Sequence, residues 1–317
     1  MDFEPNEEQR AIRDMARSFA EAELAPHAAE WDATSHFPIP TLRAAAALGL
    51  AGICVREESG GSGLGRIEAA LVFEELAAGC TSTAAYLSIH NMVAWMVDRF
   101  GDDAQRRRWL PGLVGMDKLA SYCLTEPGAG SDAASLRTTA RLDGDAYVLD
   151  GGKAFISGGG VSDLYLVMAR TGGQGAGGIS ALLVEKGTRG LGYGAPERKL
   201  GWKSQPTSMI TFDGCRVPAT NRLGEEGQGF KIAMRGLDGG RVNIAACSLG
   251  AARACLERSL AYVQERRQFG QKLADFQNTR FQLADMATEL EAARLMVWRA
   301  ATALDRDAAD ATVACAM

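Results

Sequence analysis

Tyr122-Cys123-Leu124-Thr125-Glu126-Pro127-Gly128-Ala129-Gly130-Ser131 is the stretch that decides the fold. Residues 119–125 alternate in a way that is typical of a β-strand, and Pro127 ends it because proline has no N–H to donate. Gly128 and Gly130 then allow close backbone approaches, and Ser131 adds a hydroxyl. A strand that leaves into glycines can aim backbone N–H groups at an anion. The stretch therefore indicates a site for a phosphorylated or electron-rich cofactor.

An NAD-binding motif overlaps the same residues. Gly128, Gly130 and Ala133 fit G-x-G-x-x-A, and Asp150 follows at about the spacing of a ribose-binding acid. That fingerprint requires a helix after the glycines. Residues 138–149 instead read as two β-like runs around Asp143-Gly144-Asp145, which predicts a hairpin. The sequence therefore disfavours a Rossmann domain.

Periodicity outside this stretch predicts helices, then strands, then helices. Helical patterns cover 66–78 and 82–100, short β-branched runs separated by Gly, Asp and Pro fill 119–223, and long amphipathic helices follow at 242–266 and 276–305. We predict an α+β chain with three parts. They are an N-terminal α-helical domain (1–118), a middle antiparallel β-barrel domain (119–223) and an incomplete C-terminal helical bundle (224–317).

Composition excludes several classes of function. The net charge is −5 and basic residues form no stripe interleaved with aromatic ones, which argues against nucleic acid as a partner. The seven cysteines form no C-x-x-C pair and the three histidines lack metal spacing, so we expect reduced thiols and no metal. Apolar runs stay below the ~18 residues of a membrane-spanning helix. With no signal or transit peptide visible, a cytoplasmic location is expected.

Four segments resemble those of the acyl-CoA dehydrogenase family, and they occur in the family's order along essentially the whole chain. They are SIHNMVAWM, YCLTEPGAGSDAASL, KAFISGGG and GLDGGR. The resemblance is strongest to the isobutyryl-CoA branch. It implies FAD-dependent α,β-dehydrogenation of a short branched acyl-CoA, with isobutyryl-CoA favoured, as in valine catabolism. The alternatives are a straight short-chain or 2-methylbutyryl-CoA dehydrogenase, and a truncated chain that binds FAD or acyl-CoA without catalysis.

The resemblance also implies site residues for FAD. Tyr122 to Ser131 would lie along the flavin, with the Leu124 N–H and the Thr125 hydroxyl at its pyrimidine edge. Phe155 would pack on the ring beside Ile156, and the Ser157 hydroxyl would meet the hydride-accepting nitrogen. The FAD-binding set is Tyr122, Cys123, Leu124, Thr125, Glu126, Pro127, Gly128, Ala129, Gly130, Ser131, Phe155, Ile156, Ser157, Arg266, Phe276 and Gln277.

Substrate contacts and partners follow from the same resemblance. The acyl-CoA would contact Ser131 and the segment Asp238-Gly239-Gly240-Arg241, which we expect to open the long C-terminal helix. Arg266 would reach the FAD pyrophosphate of a neighbouring subunit, since a guanidinium forms two parallel hydrogen bonds to phosphate. The resemblance further implies a homotetramer and an electron-transfer flavoprotein as electron acceptor.

The general base is the component that these residues do not supply. Most of the family carries a catalytic glutamate in a later C-terminal region, so the resemblance places it beyond Met317. One subgroup carries it at the position of Gly240, which has no side chain. Asp238 is the nearest carboxylate, but its implied role is substrate binding. We therefore assign no catalytic residue, and we expect Phe281, Leu290 and Val297 to lack packing partners.

The missing base generates a first prediction. We predict that the 317-residue chain dehydrogenates no acyl-CoA, even if it binds some FAD. Loss of a positioned proton acceptor by itself lowers the rate roughly 10²–10⁴-fold relative to a version extended through a downstream glutamate, before any loss of geometry. Both proteins would be loaded with FAD and assayed with one electron acceptor. Comparable turnover by the shorter chain would show that a base lies within it, and Asp238 would be mutated first.

Overall fold

The computed structural model describes residues 4–317, so the first three residues of the predicted N-terminal domain lie outside it. The helices are α1 (Glu7–Phe19), α2 (Ala28–Thr34), α3 (Ile39–Ala47), α4 (Arg66–Phe100), α5 (Asp103–Val114), α6 (Gly229–Glu265), α7 (Gln277–Asp305) and α8 (Ala311–Ala316). The strands are β1 (Ala120–Cys123), β2 (Thr139–Asp143), β3 (Ala146–Ser157), β4 (Leu164–Arg170), β5 (Ile179–Glu185), β6 (Leu191–Pro196), β7 (Thr207–Pro218), β8 (Arg222–Leu223), β9 (Arg267–Gln268) and β10 (Gln271–Lys272). The predicted order of helices, strands and helices is confirmed.

The chain divides into two compact units that are not contiguous in sequence. Within the described residues, the first comprises residues 4–29, 65–85 and 241–317, and the second comprises residues 30–64 and 86–240. The three domain ranges proposed from the sequence stay predictions. Most residues predicted to bind FAD, Tyr122–Ser131 and Phe155–Ser157, belong to the second unit.

An eight-stranded sheet forms the centre of the second unit. Its order is β6-β7-β3-β2-β4-β5-β8, and β1 pairs with β4. Strand β4 is buried on both faces, because Leu164, Leu166 and Met168 pack in one apolar cluster with helical residues. Its alternate residues Tyr165 and Val167 pack in a second cluster made mostly of strand side chains. This alternation is what the two-residue period of a strand requires when both faces are covered.

The strand pairings confirm the predicted hairpin and add a feature that was not predicted. Asp143 pairs with Ala146 in antiparallel register, so Gly144 and Asp145 form a two-residue turn. A single 3₁₀ turn at Ala133–Ser135 stands where a Rossmann domain would need a helix. In contrast to the antiparallel pattern expected throughout, β1 and β4 pair in parallel.

Helix α6 begins earlier than the sequence predicted, and this corrects the expected position of its start. Asp238-Gly239-Gly240-Arg241 lies inside the helix, which begins at Gly229. Glycine lowers helix propensity by about 1 kcal/mol, so three glycines within five residues resemble a turn. Close packing compensates here. A Cβ at Gly236 would lie 2.5 Å from the Met96 sulfur, and one at Gly240 would lie 2.9 Å from the Met92 sulfur.

A buried cluster of charges joins the helices of the first unit. The adjacent acids Glu74 and Glu75 are buried on α4. Arg17 Nη2 lies 2.8 Å from Glu75 Oε1, and Arg253 Nη2 lies 2.5 Å from Glu75 Oε2. Arg294 Nη2 lies 2.9 Å from Glu74 Oε1. Residues from α1, α6 and α7 thus neutralise two neighbouring carboxylates of α4.

An apolar groove in the first unit is lined by two of the three residues that were expected to lack packing partners. Phe281 is 60% exposed, as expected. Leu290 is half-buried and Val297 is only 9% exposed, so the expectation was wrong for Val297. Both line a groove of about 820 Å³ whose other walls are residues of α6, α7 and α8.

His90 is a buried, hydrogen-bonded side chain on α4. Its Nε2 lies 2.8 Å from the Leu113 carbonyl oxygen, and its Nδ1 accepts a 3.2 Å hydrogen bond from the Ala120 N–H. The proton must therefore sit on Nε2. Burial lowers the pKa of His90 to about 4. The neutral ring thereby fixes the end of α5 to the first residue of β1.

This lowered pKa predicts a pH-dependent stability. The unfolded chain takes up a proton near the ordinary pKa of about 6.5, whereas the folded chain resists protonation down to about 4. Stability should therefore be lost as pH falls from about 6.5 towards 4, by up to roughly 3 kcal/mol. Urea unfolding of His90→Gln at pH 7 and pH 5 should show a smaller difference than wild type. His36→Gln, at an exposed site, should keep the wild-type pH dependence, and an equal slope in His90→Gln would contradict the assignment.

Candidate functional site

The first site segment is a tight turn at the end of β1. The Glu126 N–H donates to the Ala129 carbonyl at 3.0 Å, and the Ala129 N–H donates back to the Glu126 carbonyl at 3.1 Å. Pro127 and Gly128 occupy the centre of this turn, as Pro and Gly commonly do. Among residues 4–317, no atom lies within 4 Å of a Cβ built on Gly128 or Gly130. The chain's own packing therefore does not require glycine here, and the space beside both residues is open.

A buried ion pair fixes this turn to strand β3. Lys153 Nζ is fully buried and lies 2.7 Å from Glu126 Oε1 and 3.0 Å from the Leu124 carbonyl oxygen. The Glu126 carboxylate also accepts hydrogen bonds from the Arg137 N–H at 2.7 Å and the Thr138 N–H at 3.0 Å. Burial favours the neutral acid, but these donors hold the pKa of Glu126 below its usual range. The carboxylate is therefore charged at neutral pH and fully paired.

The second site segment lies on an irregular part of β3. Lys153 pairs with Ile210 and Ile156 pairs with Ser208, so the register shifts between them, as in a β-bulge. Phe155 lies in this bulge with φ of 57°, a conformation that non-glycine residues adopt rarely. Its side chain is 66% exposed. Bulges commonly re-aim a side chain next to an active site, and here the bulge presents an aromatic ring to the surface.

A buried chain of hydrogen bonds holds the Ser157 backbone in place. Ser121 Oγ lies 2.5 Å from the Ser157 carbonyl oxygen and 2.8 Å from Ser162 Oγ. Ser162 Oγ in turn lies 2.8 Å from the Tyr86 hydroxyl. One hydroxyl supplies one proton, so the chain runs from Tyr86 through Ser162 and Ser121 to the Ser157 carbonyl. Ser157 is therefore held by a buried network next to the exposed Phe155 ring.

The remaining predicted residues have different surroundings. In the second unit, Asp238 is buried on α6, two residues after Gly236, whose added Cβ would meet the Met96 sulfur. In the first unit, Arg266 and Gln277 are exposed and Phe276 is half-buried, all beside the β9–β10 hairpin. Two of the predicted segments, Tyr122–Ser131 and Phe155–Ser157, lie next to each other, because the Ala154 N–H donates to the Thr125 carbonyl at 2.8 Å.

Two features of the site were missed by the sequence analysis. The Glu126–Lys153 pair was not foreseen, although a lysine within the apolar run of β3 was a signal. Gln205 was also missed, and its Nε2 donates a 3.1 Å hydrogen bond to Ser157 Oγ. Nothing in the composition of the loop that carries Gln205 distinguishes it from an ordinary surface loop.

Models of the acyl-CoA dehydrogenase N-terminal, middle and C-terminal domains match residues 6–117, 121–215 and 227–317. The chain belongs to the acyl-CoA dehydrogenase family. It is 56% identical over 312 residues to the mitochondrial isobutyryl-CoA dehydrogenase of Bos taurus, covering 98% of this chain and 75% of that protein. The predicted family, fold class, oxidoreductase activity and FAD cofactor are thereby confirmed.

Solved structures agree with this assignment. Butyryl-CoA dehydrogenase from Megasphaera elsdenii superposes with a TM-score of 0.96 at 39% identity, covering 100% of this chain and 84% of that one. A chain in the structure of the electron transferring flavoprotein of Acidaminococcus fermentans gives a TM-score of 0.97 at 41% identity, with the same two coverages. The helical, β and helical parts of the acyl-CoA dehydrogenase fold are therefore all represented here.

The residues present fit the FAD of an acyl-CoA dehydrogenase. An exposed aromatic ring at Phe155, a hydroxyl at Ser157 and open space beside Gly128 and Gly130 suit a flat, polar-edged ring system. The Tyr122 hydroxyl is buried and has no hydrogen-bond partner within residues 4–317, which is unusual unless a ligand or water meets it.

Across residues 4–317, no group of three or more His, Cys, Asp and Glu side chains is placed to hold a metal ion. Over the same range, no helix is both long and apolar enough to cross a membrane.

The buried ion pair generates a stability prediction. Lys153→Met should lower the free energy of unfolding by about 3–5 kcal/mol, because it leaves the Glu126 charge buried without its cation. Urea denaturation would measure the loss. Adding Glu126→Gln to Lys153→Met should recover part of it, since the buried charge is then removed. The control is Arg216→Met, which breaks the exposed pair between Arg216 and Asp143. It should change stability far less, and an equal loss in both variants would refute the special role of the buried pair.

Proposed function

We propose that this acyl-CoA dehydrogenase acts on a short α-branched acyl-CoA, with isobutyryl-CoA favoured. The observation that carries the proposal is the 56% identity to isobutyryl-CoA dehydrogenase over 98% of the chain. Straight short-chain acyl-CoA is the second candidate, and the fold match to butyryl-CoA dehydrogenase supports it. The higher identity to the branched-chain enzyme favours the first.

The reaction requires a hydride acceptor, a proton acceptor and donors for the thioester oxygen. When bound, FAD supplies the hydride acceptor, a role for which no amino-acid side chain is suited. Phe155 would pack on the ring, and the Ser157 hydroxyl would donate to its hydride-accepting nitrogen. The Glu126–Lys153 pair fixes the turn that would hold the other edge of the flavin, so its hydrogen-bond donors would be positioned before substrate binds.

Residues on α6 and near the glycine turn would bind the acyl-CoA. The buried Asp238 and the exposed Ser131 and Arg241 are the polar groups proposed for this role, with Gly239 and Gly240 beside them. Gly240 has no side chain and cannot remove the α-proton. A carboxylate base is still needed, and we assign it to no residue of this sequence.

Partners and oligomeric state are also proposals. An electron-transfer flavoprotein would accept the electrons, and the match to a chain in the structure of such a flavoprotein supports the pairing. A homotetramer would let the exposed Arg266, with Phe276 and Gln277, reach the FAD of another subunit. The cytoplasmic location stays a prediction, and the Bos taurus relative is named as mitochondrial.

The substrate proposal predicts an order of efficiencies. An enzyme form that carries the catalytic carboxylate should purify yellow, be bleached by isobutyryl-CoA, and give kcat/KM in the order isobutyryl-, butyryl-, then octanoyl-CoA. Each methylene in an apolar pocket changes the transition-state energy by about 1–3 kcal/mol, so the differences should be graded. Stopped-flow reduction and steady-state assays with one acceptor would measure them.

Two results would reject the proposal. Highest efficiency with octanoyl-CoA would exclude a pocket for short branched chains. A folded protein that stays colourless in excess FAD would favour the rival reading of a non-catalytic chain, and native mass spectrometry would show whether any FAD is retained.

A further inference from the structure

The loop between β6 and β7 is anchored directly beside Ser157. Lys199 Nζ donates to the Trp202 carbonyl at 2.7 Å, to the Thr207 hydroxyl at 3.1 Å and to the Gln205 carbonyl. The Gly158 N–H donates to the Pro206 carbonyl at 2.7 Å, and Ser157 pairs with Thr207 across β3 and β7. The backbone of Gln205 therefore has a fixed position relative to Ser157.

The Gln205 side chain contacts the Ser157 hydroxyl. Its Nε2 donates to Ser157 Oγ at 3.1 Å, and the residue is only 5% exposed. A serine hydroxyl carries one proton and accepts through its lone pairs. An amide N–H that fills an acceptor position leaves the proton free to donate elsewhere. Gln205 thus restricts the directions in which Ser157 can donate.

The orientation of the Gln205 side-chain amide decides whether it donates a hydrogen bond to Ser157 or accepts one from it. Gln205 Oε1 is buried and has no hydrogen-bond partner in the described part of the chain. If the amide were flipped, Oε1 would accept the Ser157 proton, and neither N–H of the amide would donate to Ser157. The observed orientation leaves one acceptor unpaired instead. Buried polar groups are seldom left unpaired, and exceptions are frequent at functional sites.

We propose that Gln205 is a positioning residue that directs the Ser157 hydroxyl proton towards the flavin. The inference rests on the proposed function, in which that proton meets the hydride-accepting nitrogen. Gln205 itself touches neither the flavin nor the substrate in this assignment. It acts by occupying the acceptor side of Ser157, and Lys199 acts by fixing the loop that carries it.

Spectroscopy and a double-mutant cycle test the proposal on the FAD-loaded enzyme. Gln205→Met keeps the volume and burial but removes the donor. We expect an altered visible absorption spectrum of bound FAD and flavin reduction slowed roughly tenfold, the usual effect of losing one oriented hydrogen bond. The FAD Kd and the KM should change little. Gln205→Glu should slow reduction further, because a carboxylate accepts the Ser157 proton and turns it away from the flavin.

Matched variants separate positioning from general loop damage. Ser204→Ala removes a buried hydroxyl from the neighbouring position and should leave spectrum and rate unchanged. In a Ser157→Ala background, Gln205→Met should have no further effect, since the hydroxyl it positions is absent. If Gln205→Met does not fold, Gln205→Asn carries the same test, because the shorter amide cannot reach Ser157.

The outcomes distinguish this proposal from the proposed function. A wild-type protein that binds no FAD, or is not reduced by any short acyl-CoA, overturns the proposed function and this inference with it. A wild-type holoenzyme that behaves as proposed, together with an unchanged Gln205→Met spectrum and rate, overturns the inference alone. Effects of Gln205→Met and Ser157→Ala that multiply would also overturn it, and so would loss of FAD binding by a folded Gln205→Met protein.

Discussion

The site depends on one buried ion pair, between Glu126 and Lys153. These residues belong to the two segments that identify the family, and the pair is a direct link between the turn after β1 and the bulge of β3. A buried charge is costly unless its hydrogen bonds are complete. The carboxylate meets this condition with the lysine and two backbone N–H groups, and the lysine also bonds the Leu124 carbonyl. The pair therefore specifies one arrangement of the two segments.

Several local rules of protein structure are broken at these two segments and at the neighbouring Gln205. Phe155 adopts a positive φ, the Tyr122 hydroxyl and Gln205 Oε1 are buried without partners in the described chain, and Gly128 and Gly130 face no packed atoms. Each costs stability or contributes nothing to it. Such violations accumulate at functional sites, where a ligand completes what the protein leaves unfinished. The buried hydroxyl chain below Ser157 and the ion pair supply the rigidity that makes them tolerable.

Local signals in the sequence predicted local structure well. The hairpin at Gly144-Asp145 and the break in α4 near Cys80, between the helical patterns 66–78 and 82–100, were predicted because each depends on neighbouring residues. The parallel β1–β4 pairing and the start of α6 were not, because both are decided by contacts between residues distant in sequence. The site residues came from resemblance to a family rather than from spacing. Gln205 matters through one contact with Ser157 that only the folded chain reveals.

The packing around the glycines of α6 limits where a catalytic carboxylate can lie on this helix. Gly236 and Gly240 are one turn apart and face Met96 and Met92, which are also one turn apart on α4. This match lets the two helices approach closely, which explains why helix-weakening glycines lie in a helix interior. A glutamate at position 240 would begin with a Cβ 2.9 Å from the Met92 sulfur, so the buried methionine would have to move. The same packing that forms this part of α6 thus disfavours the position that one family subgroup uses for its base. Asp238 precedes Gly240 by two residues and therefore lies on a different side of α6, where its carboxylate is buried.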